Sequence, residues 1–233
     1  MKRRDLNMDF EFMKSHIPMY VEAAKMTMRI SLIGIVLAIV IGLICSLIKT
    51  LKIPILKSIV NIYIEISRNT PLLIQLFFLY FGLPKVGIVL SSESCAIIGL
   101  AFQGGSYMAE AFRTGIDNVA PIQTESGLSL GFTKRQVFLH IVLPQAIATS
   151  VPVFCVNIIF LIKETSVFSA VALADLMYVA KDLIGIYYKT DEALFMLVTA
   201  YLIILLPISL ICTWIERRVR YAGFGNTSPV SGN

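Results

Sequence analysis

The sequence is short of charge. Only 15% of its 233 residues are Asp, Glu, Lys or Arg, while 57% are apolar, and mean hydropathy is +0.79. Soluble domains carry roughly a quarter charged residues, so this scarcity excludes that class and implies a polytopic membrane protein. Cysteine is sparse and scattered: Cys45, Cys95, Cys155 and Cys212 lie in or beside apolar runs, with no Cys-x-x-Cys and no Cys/His cluster. That pattern argues against a disulfide framework or a metal site and for buried, inert thiols. Histidine is limited to His16 and His140, each alone and read as an interfacial polar residue. No His-Glu-x-x-His and no nucleophile–base pair occurs, and Gly99-x4-Gly104-Gly105-Ser106 lacks the lysine of a phosphate-binding loop. The chain thus has no engine of its own. Its net charge of +5 is modest and sits on loop lysines and arginines, which gives no reason to expect a nucleic-acid partner.

Long apolar runs are what the chain does have. Ile30 to Ile48 is uncharged and would be ~28 Å long as a helix, matching a hydrocarbon core. A second clean run covers Ala193 to Ile215, and interrupted ones cover about 59–81, 94–112 and 142–162. The expected fold is therefore an all-α membrane protein of about five transmembrane helices. Before the first span, Phe10, Met13, Ile17, Val21, Ala24 and Met28 share one helical face, which marks 1–29 as an interfacial segment leading into a membrane domain over 30–218. Within the first span Gly34, Ala38, Gly42 and Ser46 recur every fourth residue. Small residues at that spacing form a packing seam, within the subunit or across a dimer.

Basic residues orient the spans. Lys49, Lys52 and Lys57 follow the first; Arg113, Lys134 and Arg135 flank the segment near 118–144; Arg217, Arg218 and Arg220 follow the last. With five spans these three regions share one side, which is then cytoplasmic, with the tail 219–233. The N-terminus falls outside, against the preference of Lys14, Lys25 and Arg29.

Four motifs then carry a resemblance. Glu125-Ser-Gly-Leu-Ser-Leu-Gly131 is followed after nine residues by Ile141-Val-Leu143-Pro144, at the offsets of the "EAA" loop of ABC importer permeases. Tyr63-Ile-Glu65-Ile-Ser-Arg68-Asn-Thr-Pro71-Leu-Leu-Ile-Gln75, Gln103-Gly-Gly-Ser106-Tyr107-Met-Ala-Glu110-Ala-Phe-Arg113 and Leu161-Ile-Lys163-Glu164-Thr165-Ser166 resemble, in order, the polar amino-acid uptake branch of that family. The resemblance implies a type I ABC importer permease fold with a cytoplasmic coupling loop of two short helices. It also implies ATPase subunits that carry ATP and Mg, a second permease subunit (identical or paralogous), an extracytoplasmic binding protein, and residence in a bacterial cytoplasmic membrane. No cofactor is expected on this chain. A secondary transporter or channel, uncoupled from ATP, is the alternative; it would call for deep charge relays or inverted repeats.

Local chemistry agrees with a helix–turn–helix at the loop. Pro121 suits a first turn, Gly131 a left-handed helix end, and Thr133-Lys-Arg-Gln136 a capping box. Pro144 fits a helix start or kink. Glu125, Ser126, Gly127, Gly131, Leu143 and Pro144 are the candidate ATPase-coupling residues. Ser126 and Gly127 stand where the family has alanines, so an alanine at 127 should be tolerated or strengthen docking. A side chain at 131 should meet both a positive φ and the second helix. Pro71 predicts a kink or restart after Arg68, with Asn69 free to take positive φ and Arg68 either snorkelling to the interface or pairing locally with Glu65. Polar groups at membrane depth are costly and so mark a path: Gln103, Ser106 and Glu110, then Asn157, then Lys163, Glu164 and Thr165. Lys163 and Glu164 could meet the two charges of an amino acid; alternatively they form structural pairs or sit in interfacial water.

Overall fold

The computed structural model describes residues 8–50 and 54–219. Lys52, Arg220 and the tail beyond, used in the orientation argument, lie outside these residues. The chain runs through α1 (Phe10–Thr50), α2 (Pro54–Asn69), α3 (Leu72–Phe77), α4 (Ser92–Asp117), α5 (Pro121–Ser129), α6 (Lys134–Val137), α7 (Leu143–Glu164), α8 (Leu176–Tyr187) and α9 (Thr190–Val219). Among the described residues there is no strand. Helix is the expected solution in lipid, because each backbone group must find its partner inside its own segment.

Among the described residues three helical stretches are both long and apolar enough to cross a membrane: Phe10–Lys49, Lys134–Val171 and Thr190–Val219. The other two expected spans differ from simple rods. The second breaks where Pro71 predicts: α2 stops at Asn69, and Leu72 restarts the helix with Pro71 at its N-cap (φ −57°, ψ 142°). Asn69 does not adopt positive φ there. It stays helical and turns its side chain back, donating from Nδ2 to the Glu65 carbonyl at 2.8 Å. The third, α4, is 26 residues long but carries Glu93, Glu110, Arg113 and Asp117.

Two prolines are accommodated alike. A π-helical turn over Phe78–Gly82 precedes Pro84, and another over Phe138–Val142 precedes Pro144. A proline inside a helix removes one donor and crowds the carbonyl four residues back. Widening the preceding turn lets Leu83 donate to the Phe78 carbonyl and Leu143 to the Phe138 carbonyl, so the chain stays helical through both sites.

The chain divides into two compact units. The first comprises Met1–Val36, Thr70–Ala101 and Leu161–Pro207. Its core joins Tyr20 and Ala23 of α1 to Leu176, Val179, Ala180 and Leu183 of α8 and Ala193, Met196 and Leu197 of α9. The Tyr20 hydroxyl donates to the Ala193 carbonyl at 2.8 Å. Asp9 accepts from the Phe12 amide and from Lys189, and both hold its carboxyl below the usual range. The N-terminal stretch is thus packed helix, continuous with the first span. Gly34 lies against Leu100 and Gly99 against Leu76.

The second unit comprises Leu37–Asn69, Phe102–Phe160 and Ile208–Asn233. Cys45 of α1, Val60 and Ile64 of α2 and Ala109 of α4 form its core cluster. Gly42 meets Met108 and Ala109, and Gly105 meets Ile41 and the Tyr63 hydroxyl. The small-residue seam is therefore intrasubunit, facing α4 in each unit. All four cysteines are free and buried, and no cluster of metal ligands occurs among the described residues.

Asp175 went unread in the sequence. It is fully buried and caps α8, accepting from the Tyr178 amide at 2.9 Å, while its other oxygen has no partner. Burial pushes this carboxyl up to about 6. The folded state then holds the proton more tightly than the unfolded one, so this contribution favours folding at low pH and is lost as pH rises through about 6. Asp175→Asn keeps the capping acceptor without the charge. It should raise the melting temperature in detergent at pH 8 and lose that advantage only as pH falls towards 3.8, the ordinary aspartate value. Asp175→Ala should cost about 1 kcal/mol through the lost cap. Equal melting of wild type and Asp175→Asn at pH 8 would contradict the buried-charge account.

Candidate functional site

The segment 121–144 folds as two short helices about a glycine. Pro121 occupies the first turn of α5. At its end the Phe132 amide donates to the Gly127 carbonyl at 3.2 Å and the Gly131 amide to the Leu128 carbonyl at 3.0 Å. These are the paired bonds of a Schellman ending, with Gly131 at φ +86°. Two residues on, Thr133 opens α6. Its hydroxyl accepts from the Gln136 amide at 3.3 Å while Gln136 Oε1 accepts from the Thr133 amide at 2.9 Å, which completes the capping box. Stop and start signals adjoin, so the turn is short and defined.

Two sequence expectations are corrected here. A Cβ at Gly131 would meet nothing within 4 Å, so the second helix does not exclude a side chain; only the positive φ does. Gly127 is the crowded one. It is buried, and a Cβ there would lie 2.8 Å from Ile141 Cδ1 and 2.9 Å from Val137 Cγ2. The gain of about 1 kcal/mol in helix propensity is therefore opposed by a shift of both side chains. Gly127 is where α5 leans on the start of the next helix. Around this contact Ile122, Leu128, Leu130, Phe132 and Leu139 are exposed, Leu130 at 78%. Glu125 and Ser126 are exposed on α5, Pro144 is exposed, and Leu143 is half-buried.

Four candidate path residues come together in the second unit. Gln103, Ser106 and Glu110 follow one stripe of α4, and Asn157 of α7 donates to the Tyr107 carbonyl at 3.3 Å. Ser106 is buried, donates to the Gln103 carbonyl at 2.7 Å and accepts from Ser67 at 3.0 Å. Gln103 is 4% exposed and its Oε1 is unpartnered. A buried amide oxygen left so costs free energy until a donor arrives. Lys163, Glu164 and Thr165 belong to the first unit. Lys163 is exposed, Glu164 half-buried, and Thr165 buried with its hydroxyl on the Ile162 carbonyl at 2.7 Å. Neither Lys163 nor Glu164 takes part in an ion pair among the described residues.

Glu110 is the charged centre. It meets Lys49 of α1 at 3.3 Å, Arg113 of α4 at 2.8 Å and Arg68 of α2 at 3.9 Å. Arg68 also lies over the Tyr107 ring, 5.5 Å from its centre. The expected Arg68–Glu65 pair is replaced, because Asn69 takes the Glu65 carboxylate at 3.3 Å. Sequence reasoning treated Lys49 as an orientation signal only and did not single out Tyr107. No local signal marked Lys49 for this role, because its partner Glu110 lies 61 positions on. Nearby, Gly115 of α4 abuts Ser150 and Ala146 of α7, and the Thr149 hydroxyl donates to the Gly115 carbonyl at 3.0 Å.

The family model described as "binding-protein-dependent transport system inner membrane component" matches residues 17–221. The chain belongs to this family. It is a multi-pass component of the inner membrane, and such a component is not itself an enzyme. Among relatives, it is 40% identical over 161 residues to the probable amino-acid permease protein YxeN of Bacillus subtilis, covering 68% of this chain and 72% of that protein. It is 30% identical to the probable amino-acid ABC transporter permease protein PatM of Vibrio harveyi, covering 93% and 99%. A crystal structure of an amino acid ABC transporter with histidines contains a chain that superposes with a TM-score of 0.87 at 30% identity, covering 91% of this chain and all of that one. The all-α permease fold expected from the motifs is thus the fold found.

Proposed function

We propose that this chain is a permease subunit of an ATP-driven importer that carries a polar amino acid across the bacterial cytoplasmic membrane. The observation that carries the reading is the hairpin 121–144. It has the spacing of a coupling loop, rigid caps on both sides of Gly131, and exposed Leu130 and Phe132 at its tip. Apolar side chains on a short polar connection leave water only when a partner covers them. That partner is an ATPase subunit, which binds the ATP and Mg; this chain binds neither. A second permease subunit completes the path, and an extracytoplasmic binding protein delivers the substrate. Relatives and a structural neighbour named for amino-acid transport support the substrate class.

The N-terminus lies outside and the C-terminus in the cytoplasm, with Lys49, Arg113, Lys134, Arg135, Arg217 and Arg218 on the inner side. In the second unit Gln103, Ser106 and Asn157, and in the first unit Lys163, Glu164 and Thr165, are each candidates to meet the transported molecule; Glu110, read from the sequence as a further path residue, has both carboxylate oxygens engaged by Lys49 and Arg113. The unpartnered Gln103 oxygen accepts a donor from the passing molecule, and Asn157 and Glu164 offer hydrogen-bonding and charge complements to an amino acid.

Three outcomes are expected. In a cysteine-free background, Ser129→Cys should react with an impermeant maleimide only in inside-out vesicles; labelling from outside intact cells would reverse the orientation. Asn157→Ala should raise the apparent KM for uptake about tenfold, the loss of one or two hydrogen bonds, with the ATPase still co-purifying. Uptake unchanged at limiting substrate would remove Asn157 from the route. Gly131→Val forces a β-branched residue to positive φ, a strain of about 1–3 kcal/mol. The subunit should reach the membrane, yet reconstituted vesicles should lose both uptake and binding-protein-stimulated ATP hydrolysis. Wild-type stimulation in that variant would show that the hairpin is not the coupling element.

A further inference from the structure

We propose that Glu110 is the hub of an electrostatic latch joining α1, α2 and α4, and that it sets the conformational balance of transport without touching the transported molecule. Both its oxygens are engaged: Oε1 by Lys49 at 3.3 Å, Oε2 by Arg113 at 2.8 Å and by Arg68 at 3.9 Å. Its side chain is 19% exposed. An ammonium group arriving from a substrate would have to displace a cation already in place. Arg113 is held in turn by Asp117 at 2.7 Å, so that arm is fixed within α4.

The three arms are unequal, and the inequality defines the device. Lys49 and Arg113 are within direct ion-pair range, whereas Arg68 divides itself between the carboxylate and the Tyr107 ring. Arg68 is also the residue just before the last of α2, and the helix does not resume until Leu72. A break there means that α2 can shift at its end without breaking a continuous hydrogen-bond ladder. The carboxylate therefore clamps α1 to α4 firmly and holds the end of α2 by its weakest arm. Arg68 meets the carboxylate and the ring at once; on this proposal it shifts between a state weighted to Glu110 and one weighted to Tyr107. Tyr107 in turn presents its carbonyl to Asn157 of α7, so the choice is felt at a fourth helix. Removing the carboxylate leaves three cations facing one another in a partly buried cluster, where unpaired charge is costly, and the end of α2 loses its tether.

This inference rests on the ATP-driven reading above. The test uses the reconstituted complex with its ATPase and binding protein, measuring initial uptake rate, KM for the amino acid and ATP hydrolysis with and without binding protein. Wild-type complex lacking binding-protein stimulation would count against the ATP-driven reading itself, before any variant is compared. With wild type stimulated, Glu110→Gln should lower maximal uptake about tenfold, within the usual range of coupling between two states. KM should stay within about twofold, and basal ATP hydrolysis should rise. The conservative Glu110→Asp, which keeps the charge, should recover part of the lost rate. If Glu110→Gln fails to assemble, Arg68→Gln carries the test, with the same split between rate and KM at smaller size. A tenfold rise in KM at unchanged maximal rate would overturn the proposal and make Glu110 a ligand residue. Rates and ATP hydrolysis equal to wild type in both Glu110→Gln and Arg68→Gln would overturn it as well.

Discussion

In a hydrocarbon environment no water is at hand for a bare amide or carbonyl, and most of this structure follows from that constraint. It dictates helices, and it also dictates how the helices are allowed to deviate. Prolines at 84 and 144 each sit just beyond a π turn that keeps donors and carbonyls paired around a missing N–H. At Pro71 the other solution is used. The helix ends, Asn69 folds its amide back to the Glu65 carbonyl, and Gln75 donates to the Thr70 carbonyl at 2.9 Å. Side chains there do the work that water would do in a soluble protein.

The same scarcity of water governs the charges. Because lipid offers no hydrophobic drive between apolar helices, close approach and polar pairing supply the specificity. Gly42 and Gly105 bring α1, α2 and α4 close enough for Lys49, Arg68 and Glu110 to meet. The packing seam and the ion cluster are thus one arrangement: without the small residues the cations could not reach the carboxylate. Partial exposure of the cluster keeps each pair from carrying its full dry-interior strength.

How much was legible depended on how local the cause was. The break at Pro71, the capping box at Thr133 and Gln136, and the positive φ of Gly131 each follow from residues within one turn, and all three are found. Arg68 was assigned to Glu65 because sequence offers only near neighbours as partners; the actual partner, Glu110, is 42 positions on. The choice was tertiary: Asn69 competes for Glu65, and α4 brings Glu110 within reach. Asp175 escaped notice for a related reason. A lone aspartate before an apolar helix reads as an ordinary cap, and nothing in its neighbours announces complete burial.

The two glycines of the hairpin show why a motif must be taken apart by mechanism. A matching offset marks both 127 and 131 as small-residue positions, yet the reasons differ. Gly131 has space on every side and is required by backbone angle; Gly127 has an ordinary helical angle and is required by space, with Val137 and Ile141 against it. One fixes where the first helix ends, and the other fixes how closely it lies on the start of the helix that continues into α7. The tip is therefore joined by a defined turn and a tight helix contact to the long helix carrying Asn157. Substitution at either glycine disturbs a different element: the direction of the turn at 131, the closeness of the helix contact at 127.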